Sequence, residues 1–366
     1  MIRGKSVFLR TVREADLDTR CLASKLKETM TKESWLTLPH RVKPGMCPVN
    51  GIRDLVHWRT GRDWPNEFVH GLGQGGGFAY LRVKVADPPR QVYWGIASPH
   101  QHQYLADLLG VDYTAVDNRS FKFSWQKARE AVDAGTPPII GPMDMFYLHF
   151  YEGIYQRRHI PIHYVLLVGH DEDKAYVHDT SEEDVQAIPL DELKLAWDVN
   201  VPGLGRRNGV AILNIPPTLP ATDTLIRKSI ADQSQGMLHP PVSMVGIPAM
   251  KKVAREIAGW TEEWGPDIAA KCLRQVREYL NSPPDIEGNH LTAGRDLYVA
   301  FLEQAGAMAK LDFSEAISSF QEVIATIPQL AEAIQQMELE KAADYMRHIA
   351  ERETKAYTAL SEIVLP

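Results

Sequence analysis

The stretch Ile162-His163-Tyr164-Val165-Leu166-Leu167-Val168-Gly169-His170-Asp171-Glu172-Asp173-Lys174-Ala175-Tyr176-Val177-His178-Asp179 decides the reading of this chain. It is a strand, a polar turn and a second strand. A turn from Gly169 to Lys174 centres a hairpin near Asp171 and pairs His163 nearly opposite Asp179. Cross-strand neighbours stand about 5 Å apart at Cβ. An imidazole and a carboxylate would then share one face of a buried hairpin, which fixes a base in one tautomer. The pair lacks a nucleophile, and Cys47 lies upstream to supply one.

Cys47 sits in Pro44-Gly-Met-Cys-Pro-Val-Asn-Gly51. Gly45 permits a tight turn, and Pro48 suits the first position of a helix. The cysteine therefore opens a helix, predicted to run to about Arg59. Free amides and the dipole there favour thiolate and can hold an oxyanion. A bland reading stands beside each residue. Cys47 can serve as a small hydrophobe, His163 as a packed strand histidine and Asp179 as a turn cap.

The 366 residues suffice for two domains. Hydrophobic content of 44% and charged content of 24% are those of a globular protein. No apolar run is long enough to span a membrane, and charges interrupt the N-terminus where a signal core would lie. A cytoplasmic location is expected. Three scattered cysteines (Cys21, Cys47, Cys272) form no CxxC pair, so neither a disulfide framework nor a zinc knuckle is indicated. From Pro216 onward there are 14 Lys+Arg against 21 Asp+Glu, which holds the whole net charge of −7. An acidic half of this kind argues against nucleic acid as a partner.

Helix and strand signals mix up to Ile215, and helical text dominates after the linker Pro216-Pro-Thr-Leu-Pro220. Domains of 1–215 and 216–366 follow. In the first, helices are predicted over 14–30, 47–59 and 125–134. Strands are predicted over 78–85, 137–140, 162–179 (the hairpin) and 210–215. In the second, helices are predicted over 222–233, 248–260, 266–281, 291–310, 313–326 and 328–362. The last has enough apolar surface to cap a cleft or form a homodimer.

A cysteine at a helix start followed by a strand His facing a strand Asp resembles the papain-like cysteine hydrolases. The class implied is α+β, a helix bundle packed on an antiparallel sheet, with an all-helical domain after it. The resemblance narrows on Cys47, Gly71-Leu-Gly-Gln-Gly-Gly-Gly-Phe78, Met143-Asp144-Met-Phe-Tyr147-Leu148 and His163-Tyr-Val-Leu-Leu-Val-Gly169. These are similar to the N-terminal domain of the butirosin-biosynthesis protein H family. Gly294-Arg-Asp-Leu-Tyr298-Val-Ala-Phe301-Leu302 resembles the helical domain that accompanies it. The similarity runs from about residue 40 to 310.

What the resemblance implies is acyl transfer in specialised metabolism, from an acyl-carrier-protein thioester to an amine. Cys47 would become acylated, His163 would move protons and Asp179 would orient His163. No cofactor is implied beyond the phosphopantetheine-linked thioester of the donor. The same triad could instead serve a thioesterase, amidohydrolase or cyclase, and the scaffold could also be a silent binding protein. Papain-like enzymes place a glutamine before the cysteine as an oxyanion donor. Here His40-Arg41-Val42-Lys43 occupies that place, so His40, Arg41 and Asn50 are the candidates for that role. Asp144 and Tyr147 follow a buried strand, where loop residues reach clefts. Asp144 would hold a cationic acceptor, or else merely cap a helix. Asn50, Gly73 and Gly76 complete the expected substrate-binding set.

Gly71-x-Gly73-x-x-Gly76 matches a dinucleotide fingerprint in letters but lacks the strand before and the helix after it. Histidines recur without the carboxylate spacing of a metal site, so no metal is expected. His100-Gln-His102 reads as a solvated loop. Arg157-Arg158, Arg206-Arg207 and Lys251-Lys252 are basic pairs, each either solvated face or a docking surface for an acidic carrier.

Overall fold

The structure, a computed structural model, describes residues 34–364 apart from residue 97 and the segments 202–204 and 283–289. The helix expected over 14–30 lies outside the described residues. Chain order begins with α1 (Cys47–Thr60), α2 (Asn66–Leu72), the hairpin β1 (Phe78–Arg82) and β2 (Arg90–Trp94), and α3 (Ser98–Leu109). Then come β3 (Asp112–Val116), α4 (Phe121–Asp133), β4 (Ile139–Met143) and a 3-10 turn (Met145–Tyr147). Next are β5 (His163–His170), β6 (Lys174–His178), β7 (Gln186–Pro189), α5 (Leu190–Trp197) and β8 (Val210–Asn214). Helices α6 (Thr222–Leu238), α7 (Gly246–Glu256), α8 (Trp260–Trp264), α9 (Pro266–Leu280), α10 (Arg295–Ala309), α11 (Ser314–Gln335) and α12 (Leu339–Val364) follow.

The α+β class is as expected. Six strands form an antiparallel sheet in the order β3-β8-β4-β5-β6-β7, and a helical region follows. β5 is buried along nearly its whole length, which its run of apolar residues dictates. Helix α1 lies against it. The approach is close because residue 51 is glycine. A Cβ there would stand 3.1 Å from Ile139 Cγ1 and 3.2 Å from Leu166 Cβ. The helix ends at Gly61, whose φ of 71° places it in the left-handed region that terminates helices.

The hairpin pairs in a different register from the one expected. Near the turn Gly169 faces Tyr176, and further out Leu166 faces His178, with a one-residue shift between Leu167 and Gly169. His163 is therefore diagonal to Asp179 and not opposite it. The bulge matters, because a one-residue slip exchanges the two faces of a strand. Without it, Asp179 would continue on the face away from His163.

Other boundaries also moved. α4 begins at Phe121, where Ser120 Oγ accepts from Phe123 N. His100 and His102 lie on helix α3 and not in a solvated loop, and His102 is buried. Pro328 does not divide two helices but sits inside α11. Val323, Ile327 and Leu330 are fully buried around it, and that burial outweighs one lost backbone bond. The chain instead breaks at Met337, with φ 58°.

The glycine cluster meets the helical half directly. A Cβ on Gly71 would lie 2.0 Å from the Phe301 ring. Tyr357 Oη donates to the Gly76 carbonyl at 2.8 Å, and Arg295 Nη2 to the Gly77 carbonyl at 3.3 Å. Arg295 is fully buried. It pairs with Glu353 at 2.7 and 3.1 Å and covers the Trp94 ring at 4.8 Å.

Candidate active site

The turn before Cys47 is tied to the strand end that carries Asp179. Lys43 N donates to the Thr180 carbonyl at 2.7 Å, and Thr180 Oγ1 returns a bond to the Lys43 carbonyl at 2.6 Å. Gly45, with φ 80°, turns the chain into α1. Cys47 is half-buried at the first position of that helix. Its Sγ lies 3.9 Å from the Ile162 carbonyl, a weak contact.

His163 Nε2 meets Asp179 Oδ2 at 2.5 Å, and both side chains are buried. With Nε2 committed to the carboxylate, Nδ1 is the nitrogen left over, and the Cys47 sulfur is close enough to act on the charge of the imidazole. Burial disfavours a charged ring here. The Asp179 carboxylate and the Cys47 sulfur outweigh it and push the imidazole up to about 10. Asp179 is held below the usual carboxylate range. Burial opposes this, and His163, Tyr151 and the Ser181 amide together prevail. His163 and Asp179 are thus a hydrogen-bonded pair, with Cys47 near the imidazole.

Sequence reasoning missed Tyr151. Its hydroxyl donates to Asp179 Oδ1 at 2.6 Å and stands 3.3 Å from His163 Nε2. Ser181 N adds a bond to the same Oδ1 at 2.8 Å. Tyr151 comes from the loop between the 3-10 turn and β5, and no spacing rule links that loop to β6.

The candidates for the second oxyanion donor, His40, Arg41 and Asn50, are each otherwise engaged. His40 Nδ1 meets Asp54 Oδ2 at 2.5 Å, while Nε2 donates to the carbonyls of Asp179 (2.9 Å) and Glu182 (3.0 Å). Burial works against its charge, but Asp54 and these carbonyls raise its pKa above the ordinary value. Arg41 pairs with Asp63, and Asn50 Nδ2 donates to the Arg41 carbonyl at 2.7 Å. At the start of α1 the Val49 and Asn50 amides donate to the Met46 carbonyl and Pro48 has none, which leaves the Cys47 amide as a donor of the right kind.

The buried His102 was also unforeseen. Its Nε2 lies 2.6 Å from the Pro48 carbonyl and braces the first turn of α1. Burial lowers its pKa to about 4, so it braces as a neutral ring.

Asp144 spends both oxygens internally. Oδ1 accepts from the Phe146 and Ile160 amides, and Oδ2 meets His159 Nδ1 at 2.6 Å. It caps the 3-10 turn, the bland alternative weighed from the sequence. Tyr147 is half-buried, edge-on to Phe146. Gly73 accepts from Gln101 at 3.2 Å, and Gly76 from Tyr357.

Among the described residues, His40, Asp54 and His178 form a group with ligand atoms all within 4.8 Å of one another. Two ligands on a tetrahedral metal at about 2.1 Å stand roughly 3.4 Å apart. The 2.5 Å His40–Asp54 contact is shorter and requires a shared proton. Arg53 already holds the other Asp54 oxygen at 2.8 Å. The group is a hydrogen-bonded brace between α1 and the 179–182 turn.

No helix among the described residues is long and apolar enough to cross a membrane. Residues 46–180 match the family model described as Butirosin biosynthesis protein H, N-terminal. Residues 192–360 match that of a Domain of unknown function (DUF4872). No curated protein matches the chain at a significant level. The first match runs from the residue before Cys47 to the residue after Asp179, so the chain carries a domain of the butirosin biosynthesis protein H N-terminal family, followed by a domain of the second family.

Proposed function

We propose that the protein is a cysteine-dependent acyltransferase that takes an acyl or aminoacyl group from a carrier-protein or CoA-type thioester and passes it to an amine. The observation that carries this reading is the Cys47 thiol beside an imidazole raised to about 10 by a buried carboxylate. Such an imidazole is protonated at neutral pH and is a counterion for thiolate. The family description, which names an antibiotic biosynthesis protein, supports a place in natural-product biosynthesis.

In the first half-reaction the Cys47 thiolate attacks the thioester carbonyl. The carbonyl oxygen takes negative charge opposite the Cys47 amide, which opens α1. Collapse breaks the bond to the donor sulfur, and His163 gives that sulfur its proton. Acylation removes the thiolate that helped hold the imidazolium, so the product is a neutral ring still oriented by Asp179. That ring can now take a proton from the incoming amine. Attack of the amine forms the amide, expels Cys47 as thiolate and restores the ion pair. A thioester is reactive enough for this without a strong base.

The test is acceptor-dependent discharge. Enzyme loaded with an acyl group should transfer it to a polyamine or aminoglycoside, with loss of mass from the protein matched by gain on the amine. Loss of the acyl group to water at the same rate with every amine tried would reject transfer and leave a hydrolase.

A further inference from the structure

Helix α7 places Lys251, Lys252 and Arg255 along a cavity of about 660 Å³ in the helical half. None of Cys47, His163 and Asp179 lines it, and among the described residues neither does any carboxylate. Among the described residues none of the three cations makes an ion pair or hydrogen bond. Neighbouring cations of this acidic half are paired: Arg227 with Asp223, Lys228 with Asp232, Arg352 with Glu322 and Lys355 with Glu315. Three unpaired cations facing one space in a region of net negative charge repel one another. The balance is restored when an anion enters.

The opposite wall has different chemistry. Thr354, Thr358 and Ser361 recur at i, i+4 and i+7 and form one stripe on α12. Each hydroxyl donates to its own helix, Thr354 to Ala350, Thr358 to Thr354 and Ser361 to Thr358, at 2.6–2.8 Å. Their lone pairs are therefore free to accept. One wall offers charged donors and the other neutral acceptors. Leu238, Ile247 and Pro248 also line it and offer apolar contact.

We propose that this cavity is a binding site for an organic phosphate ester. The phosphate lies against Lys251, Lys252 and Arg255. The rest of the ligand presents N–H or O–H donors to the α12 hydroxyls. Guanidinium and ammonium groups suit phosphate oxygens, and the volume is that of a small-molecule site. Two sources share this chemistry, a phosphorylated sugar and a phosphopantetheine group. The site stands independently of the reading of Cys47.

The experiment is calorimetric titration of the full chain with pantetheine phosphate, a hexose phosphate and inorganic phosphate, at low and high salt. Lys252→Gln/Arg255→Gln is compared with a control of equal charge change, Arg274→Gln/Lys310→Gln. At least one ester should bind saturably at one site. The double variant should weaken it by roughly a hundredfold, about tenfold per charged hydrogen bond. The control should bind as wild type does, and circular dichroism should show both variants folded. Whichever ester binds identifies the source. Absence of saturable binding by either ester overturns the proposal. So does equal weakening in the control, and so does inorganic phosphate binding as tightly as the esters.

Discussion

The Tyr151 hydroxyl bridges Asp179 and His163, 2.6 Å from the carboxylate and 3.3 Å from Nε2 of the ring. The Asp179 Oδ1 that it serves also accepts the Ser181 amide, while Oδ2 faces the imidazole. Tyr151 therefore decides how the carboxylate is turned. Removing the hydroxyl deletes one charge-assisted bond of about 1.5 kcal/mol. Tyr151→Phe should slow acylation of Cys47 about tenfold with little change in folding. Stopped-flow acylation and a thermal melt on the same sample check both halves. An unchanged rate would remove Tyr151 from the site.

The pH dependence of stability follows from the two shifts. The His163 pKa is about 10 in the folded protein against 6.5 free. Its contribution is full below about pH 6.5 and is lost as pH rises through about 10. Asp179 is shifted down from 3.8, so its contribution is present above that value and is lost on acidification. Urea midpoints should thus decline from pH 7 to 10 in the wild type. Asp179→Asn should start lower and decline less over the same window, because an amide cannot hold the imidazolium. Parallel slopes would contradict the ion pair.

His40 joins Asp54 on the nucleophile helix to the carbonyls of Asp179 and Glu182. His40→Ala leaves Asp54 with Arg53 and His178 but releases the turn. The expected cost is about 3 kcal/mol, at the low end for breaking a buried pair. Amide exchange at residues 180–182 should accelerate more than exchange in α12. Uniform acceleration would mean a general loss of stability and not a local brace.

Gly71 is predicted to be intolerant of any side chain. A methyl group there overlaps the Phe301 ring, so Gly71→Ala should destabilise by about 3 kcal/mol. Adding Phe301→Ala removes the Cγ and Cδ1 atoms that the methyl group meets, so the double variant should lose less than the sum of the two single changes. Additive losses would place the strain elsewhere.

Local signals carried the central elements. Pro48 and Gly61 bound α1, and apolar runs on either side of a polar turn mark the β5–β6 hairpin, so Cys47, His163 and Asp179 could be named from sequence. The register could not be read, because the bulge between Leu167 and Gly169 leaves no compositional trace. The face came out right because pairing next to the turn is an odd number of residues off the expected register, and the one-residue bulge makes the offset even. Tyr151 and the bracing roles of His40 and His102 escaped for another reason. Their partners lie 28, 139 and 54 residues away, and only the tertiary fold makes them neighbours. The glycine cluster was visible, but its cause, the Phe301 and Tyr357 side chains, lies more than 200 residues further on. Pro328 misled because burial of its neighbours outweighs its local preference.

The most direct measurement is intact-protein mass after brief incubation with a series of acyl-pantetheine thioesters, wild type beside Cys47→Ala. The account predicts an increment equal to the acyl group in the wild type and none in the variant. His163→Gln should form it far more slowly. No increment with any donor, together with no thioester turnover and no selective alkylation of Cys47, would contradict the covalent mechanism and leave a binding protein on this scaffold.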